Sequence, residues 1–107
     1  MSARNLSTID FTGAERIAFA TSNNDGTRER WTELSVFRLG RPVSGSRVWL
    51  AQIAGLSSVA GESARYRRVC TGTLARALRF FDDTDMGRQI VLEAEEWADA
   101  HGVPVHG

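Results

Sequence analysis

Few side chains in this 107-residue sequence could do acid–base, metal or nucleophilic chemistry, and their spacing argues against most of it. Acid–base catalysis wants histidine or paired carboxylates on a rigid frame. The two histidines, His101 and His106, stand beside Gly102, Pro104 and Gly107, and are read as solvated residues of a frayed tail over 102–107. A metal site needs three or four convergent donors. Cys70 with two tail histidines is no such set, so neither a metal nor a cofactor is expected. Asp82, Asp83 and Asp85 lack the rest of a calcium-binding loop and read better as the acidic start of a helix. Gly55-Leu56-Ser57-Ser58 is not the G-x-S-x-G nucleophile elbow, and no phosphate-binding glycine loop occurs. Glu33 is the one carboxylate set among aromatic strand residues, and it reads as a rim residue. The expectation is a protein without catalytic residues. Cys70 or Glu33 would carry the chemistry of an enzyme, the least favoured alternative, and Cys70 alone reads as a small buried hydrophobe.

The arginines are the stronger chemical signal. All 13 basic residues are arginine, so every cation is a planar fork able to grip a carboxylate or phosphate with two bonds. Residues 1–81 carry 12 arginines against 6 acids, and residues 82–107 carry one against 7, so zero net charge hides a strong polarity. Arg65, Arg67, Arg68, Arg76 and Arg79 form a run with no acid between Ser63 and Phe81, with Tyr66 interleaved and Phe80 close by. Arginine with exposed aromatics is the chemistry of phosphate contact and base stacking, or of an acidic protein partner. The competing expectation is that the acidic last third lies over these arginines and neutralises them.

The elements that must position these residues follow from periodicity. Length and composition, 42% hydrophobic and 24% charged, fit a single domain over 1–107 with one core. No apolar run reaches the length of a membrane span, and Met1-Ser2-Ala3-Arg4-Asn5 opens no secretory signal; with one cysteine, this predicts a cytoplasmic protein. Arg16–Thr21 reads as a strand, with a helical rival because Thr12-Gly13-Ala14-Glu15 fits a capping box. Trp31–Leu39 and Arg47–Ala54 read as strands joined by a Gly- and Pro-containing loop, and Arg65–Cys70 as a charged edge strand. Helical period then takes over. Leu74, Ala77, Leu78 and Phe81 mark one stripe behind a Thr71 or Thr73 cap, and Met86, Ile90, Ala94 and Trp97 mark a second helix ending near Ala100. The prediction is an α+β domain: an antiparallel meander of about four strands over residues 11–70, then a helical pair over 73–101 packed on one face.

The central hairpin is apolar on both faces. With its loop centred on Val43, Phe37 faces Trp49 and Glu33 faces Ile53, while Val36 faces Leu50. That register places Trp31, Phe37, Trp49 and Ile53 on one side and Leu34, Val36, Val48 and Leu50 on the other. Two helices cover one side only. The second side, taken as the Trp31 set with Glu33 and Arg47 at its rim, is then the expected contact face, either for a homodimer or for another protein.

The hairpin also resembles a group of short uncharacterised bacterial, phage and plasmid open reading frames, through Trp31, Glu33 and Leu34, then Gly55, Ser57, Gly61 and Glu62. The resemblance covers roughly residues 11–70 and brings no assigned activity. It implies the setting of a mobile element, whose small non-enzymatic proteins often bind and block, as anti-CRISPR proteins do, or regulate transcription. Two expectations result: a protein–protein interaction module acting by surface occupation, and a nucleic-acid-binding accessory protein using the arginine run.

Overall fold

A computed structural model describes residues 9–107, so the opening segment Met1–Asn5 lies outside the described residues. Four strands form one antiparallel sheet in the order β1-β2-β3-β4: β1 Glu15–Thr21, β2 Arg30–Arg38, β3 Trp49–Ser57 and β4 Arg65–Thr71. The helical rival for the first strand loses, because Arg16–Thr21 pairs along β2. β3 runs three residues past Ala54, so part of the expected loop at Gly55 extends the sheet. Two helices follow, α1 Leu74–Leu78 and α2 Asp85–Ala100. The Thr73 hydroxyl accepts the Arg76 N–H at 3.2 Å and that of Thr84 accepts the Gly87 N–H at 3.0 Å, so each helix starts on a threonine cap. The α+β architecture is the one expected, and among the described residues no helix is long and apolar enough to cross a membrane.

Both helices lie on one face of the sheet, α2 over β1 and β2, α1 over β3 and β4. Ile90, Ala94 and Ala98 of α2 and Leu74 and Ala77 of α1 are buried against Ala18, Ala20, Leu34, Val36, Trp49 and Ala51. The Trp49 and Trp97 rings meet edge to face at 6.2 Å.

The hairpin register differs from the expected one by a residue. Arg38 pairs with Trp49, Phe37 with Leu50, Val36 with Ala51 and Leu34 with Ile53. The cause lies in the loop. The Leu39 N–H continues the ladder to the Val48 carbonyl at 2.8 Å, and Ser44–Arg47 closes a turn with Gly45 at φ 54°, a left-handed conformation that glycine adopts without steric cost. Its centre falls between residues 43 and 44, not on Val43. A one-residue slip moves every β3 side chain to the other side of the β2 pattern. Trp49 and Ile53 therefore join Leu34 and Val36 under the helices, and Leu50 joins Phe37 on the opposite face. The expected contact face of Trp31, Phe37, Trp49 and Ile53 does not exist as one surface, and Arg47 stands at the opposite end of the hairpin from Trp31 and Glu33.

Two further expectations are corrected. The apolar end of the helix-free face is covered by this chain itself: Ile9, Ala14 and Val43 pack on Leu39, Leu50 and Cys70. Residues 102–107 are not frayed. The Val105 carbonyl accepts the Ala75 N–H at 2.9 Å, and Val103 and Val105 pack on the core.

Candidate functional site

The helix-free face is built from alternate residues of all four strands. Side chains alternate across a strand, so the register places Arg16 and Phe19 of β1, Trp31, Glu33, Ser35 and Phe37 of β2, Leu50, Gln52 and Ala54 of β3, and Tyr66, Arg68 and Cys70 of β4 on this side. A bulge between Arg16 and Ala18 lets Arg16 share the face with Phe19 while Ile17 turns into the core. The small residues Ser35 and Ala54 form a buried floor. Around it the rings stay accessible: Tyr66 is 50% and Phe11 38% exposed, and Phe19 and Phe37 are half-buried.

Guanidinium groups are interleaved with these rings. Arg16 lies 4.2 Å from the Phe19 centroid, and Arg68 lies 4.6 Å from Tyr66 and 5.7 Å from Phe11. Phe11 in turn meets the edge of Phe37 at 5.2 Å. Arg68 also donates its Nε–H to the Gln52 Oε1 at 2.6 Å, which fixes the fork over the strand. Contacts of this kind contribute about 0.5–1 kcal/mol each at exposed sites, enough to hold an orientation while leaving donors for an anion.

The expected arginine run is split by the fold. Arg68 and Tyr66 are on the helix-free face; Arg67 is on the helix side, 5.8 Å from the Phe80 ring; Arg76 and Arg79 belong to α1 and its C-terminal cap. Together they follow one edge of the molecule, the β4 strand and the helix above it. Among the described residues the ion pairs are Arg30–Glu62, Arg41–Asp10, and Arg88 with Asp83 and Asp85. None links an acid to Arg65, Arg67, Arg76 or Arg79, and α2 lies over the other half of the sheet. No ion pair joins the acidic last third to these four arginines among the described residues, while Asp82 and Asp85 share a cleft with Arg67 and Glu95 a groove with Arg79.

At the end of the sheet away from the Gly45 turn, the loops after β1 and β3 enclose a cleft of about 770 Å³ lined by Arg28, Arg30, Trp31, Ser57, Glu62 and Arg65, among others. Glu62 accepts the Arg30 Nε–H at 2.9 Å and the Nη2–H at 2.5 Å, and the Ser57 hydroxyl donates to it at 2.6 Å. These bonds, that to Arg30 first and that to Ser57 next, pull the Glu62 carboxyl down to about 2. The Ser58 N–H donates to the Glu29 carbonyl at 2.9 Å and ties the two walls together. Trp31 donates its indole N–H to Glu33 at 3.0 Å, so Glu33 is an acceptor that sets a ring. Most residues carrying the resemblance noted above meet in or beside this cleft.

A second, more apolar cleft of about 520 Å³ opens beside the start of α2, between Leu34, Ile53, Phe81 and Met86, with Arg67, Asp82 and Asp85 at its rim. Cys70 is buried, its thiol donating to the Arg47 carbonyl at 3.3 Å. Among the described residues no group of three or more His, Cys, Asp or Glu side chains could hold a metal ion.

The sequence reading missed Phe11, Arg16, Phe19 and Gln52 on the face, and Arg28 and Arg30 in the cleft. Arg16 and Phe19 carried a usable signal, since an arginine and an aromatic sat near each other in a strand already identified. Phe11 and Gln52 carried none, because their places depend on how the segment before β1 folds back and on the β3 register. Comparison with protein-family models, curated proteins and solved structures found no match.

Proposed function

We propose that this protein is a non-enzymatic binding module whose helix-free sheet face takes single-stranded nucleic acid. The observation that carries the reading is the interleaving of Arg16 and Arg68 with the accessible rings of Phe11, Phe19, Phe37 and Tyr66 on one face, while the other face is sealed by helices. Every base has a π-face, so rings on a flat sheet hold single strands with little regard to sequence. Guanidinium forks between the rings meet the phosphates, and Arg65, Arg67, Arg76 and Arg79 extend the positive field along the β4 edge. The acids of α2 lie on the helix side, where Asp85 shares a cleft with Arg67 and Glu95 a groove with Arg79, and this leaves the helix-free face open to a polyanion despite zero net charge.

The test is a salt titration against short single-stranded DNA and RNA from about 50 mM upward, where electrostatic affinity is greatest. Binding is expected to fall with salt. Replacing Arg16 or Arg68 by Ala reduces the slope of log K against log salt by about 0.7 for each phosphate that the variant leaves unneutralised. Tyr66→Ala weakens binding by about 1–3 kcal/mol at constant slope. Absence of binding at about 50 mM salt overturns the reading. So does a sedimentation experiment in which the wild type forms a dimer that Tyr66→Ala dissociates and that oligonucleotide leaves intact, because the same face would then be occupied by a second copy.

A further inference from the structure

We propose that the cleft at the end of the sheet is a binding site for a phosphate monoester, which rests on the nucleic-acid reading and deepens it by giving the strand a terminal phosphate subsite. Three arginines, Arg28, Arg30 and Arg65, line one concavity with a single carboxylate, Glu62. Glu62 is already engaged: both its oxygens accept from Arg30 and one also from Ser57. Arg30 gives it two of five N–H donors and keeps the rest. The side chains of Arg28 and Arg65 donate to no protein acceptor among the described residues, and both residues are exposed. Asp25 lies near enough to Arg28 to feel its charge, but its carboxylate is engaged by the Thr27 N–H at 3.2 Å and hydroxyl at 2.8 Å.

Charge decides the class of ligand. Among the lining residues three guanidinium groups meet one carboxylate, and Asp25 beside Arg28 offsets the surplus only in part, while a phosphate monoester carries about −1.5 to −2 near neutral pH. A backbone diester, with one charge, is a poorer match. Arginine forks suit the tetrahedral oxygens, while the Ser57 hydroxyl, its one proton given to Glu62, holds that carboxylate against the wall. The walls are tied across the opening by the Ser58–Glu29 hydrogen bond and the Arg30–Glu62 pair, so the two loops and the Arg30 fork are held in place before a ligand arrives, while Arg28 and Arg65 are left to turn towards it. The register puts Arg30, Thr32, Ser57 and Arg65 on the helix side and Trp31 on the helix-free side, so a strand lying on the helix-free face reaches this cleft by turning over the end of the sheet at Trp31.

The monoester can come from the end of a strand or from a free nucleotide, and the experiment separates them. The intact protein is titrated by NMR, following the arginine Nε–H and indole N–H signals, with inorganic phosphate, adenosine 5′-monophosphate, adenosine, and a thymidine oligonucleotide with and without a terminal phosphate. The phosphate-bearing probes are expected to shift the Arg28 and Arg65 signals while adenosine does not. The terminal phosphate should tighten oligonucleotide binding by about tenfold, an advantage abolished in Arg28→Ala and Arg65→Ala. These exposed substitutions break no side-chain bond, and an unchanged melting temperature will confirm folding. The inference is overturned if the terminal phosphate gives no advantage and phosphate moves none of these signals, or if the double variant binds phosphate as the wild type does. Binding of adenosine 5′-monophosphate without binding of either oligonucleotide supports the cleft and sinks the single-strand reading. Equal binding of both oligonucleotides, unaffected by the two substitutions, does the reverse.

Discussion

Arg38 stands opposite Trp49 in the β2–β3 ladder, its guanidinium carbon 5.4 Å from the centroid of the indole. The pair sits on the helix side, where Arg38 is exposed and Trp49 is buried against Trp97, so the cation roofs the edge of the core. Trp49→Ala is expected to destabilise the protein by about 3–5 kcal/mol, the usual cost of removing a buried large aromatic. Tyr66→Ala, on the accessible face, should stay within about 0.5 kcal/mol of the wild type. Urea unfolding of the two variants checks this. Comparable losses would place Trp49 and Tyr66 in equivalent surroundings, against the observed register.

Gly87 marks a close approach that no side chain can enter. A Cβ built there would lie 1.9 Å from the Asp82 carbonyl oxygen and 3.2 Å from the Thr84 hydroxyl that caps α2. Gly87→Ala must push the 82–84 turn away from the helix and loosen the cap, at a cost of about 1–3 kcal/mol despite alanine's better helix propensity. Thermal melting is the readout, and a stabilised Gly87→Ala would contradict the close approach.

Glu62 provides a pH prediction. Its folded carboxyl titrates at about 2 against an ordinary value of 4.5, because Arg30 and then Ser57 bond its charged form. A depressed carboxyl contributes stability that is present in full above about pH 4.5 and is lost as pH falls through 2. The Arg30–Glu62 tether should therefore survive at about pH 4 and open near pH 2. A carboxyl carbon NMR titration of Glu62 gives the midpoint, and Glu62→Gln should release the Arg30 Nε–H signal already at neutral pH. A midpoint near 4.5 would show the tether to be unformed in solution.

Cys70 should be protected from reagents. It is buried beneath Phe37 and Val43, and its thiol is bonded to the Arg47 carbonyl. Labelling of the native protein by a thiol-specific disulfide reagent is expected to be slow and to speed up on adding denaturant. Rapid labelling of the folded protein would place Cys70 at the surface.

The elements were legible because each carries its own period: alternation in β2 and β4, and the Leu74-Ala77-Leu78 and Ile90-Ala94 spacings in the helices. A cap at Thr71 or Thr73 and an acidic start at Asp82, Asp83 and Asp85 were readable for the same local reason, and the structure selects Thr73 and Thr84 as the caps. The pairing between elements was not. Trp49-Leu50-Ala51 is apolar at every position, so a slip of one residue costs nothing in the pattern, and only the Ser44–Arg47 turn decides it. The tail misled because Gly102 and Pro104 end a helix whether or not the chain after them packs, and the Val105–Ala75 bond joins residues far apart in sequence. Of the candidate site, Tyr66 and Arg68 were read from β4 alone, whereas Arg28 and Arg65 come together only once the β1–β2 and β3–β4 loops are brought to one end of the sheet.

The placement of α2 over β1 and β2 has a consequence for synthesis on the ribosome. The first hairpin is made before the helix that covers Ala18, Ala20, Leu34 and Val36, which emerges only after all four strands, as does the Val105 carbonyl that accepts from α1. Until then the nascent chain displays an uncovered aliphatic strip, so its yield in vivo should depend on chaperones that shield emerging chains.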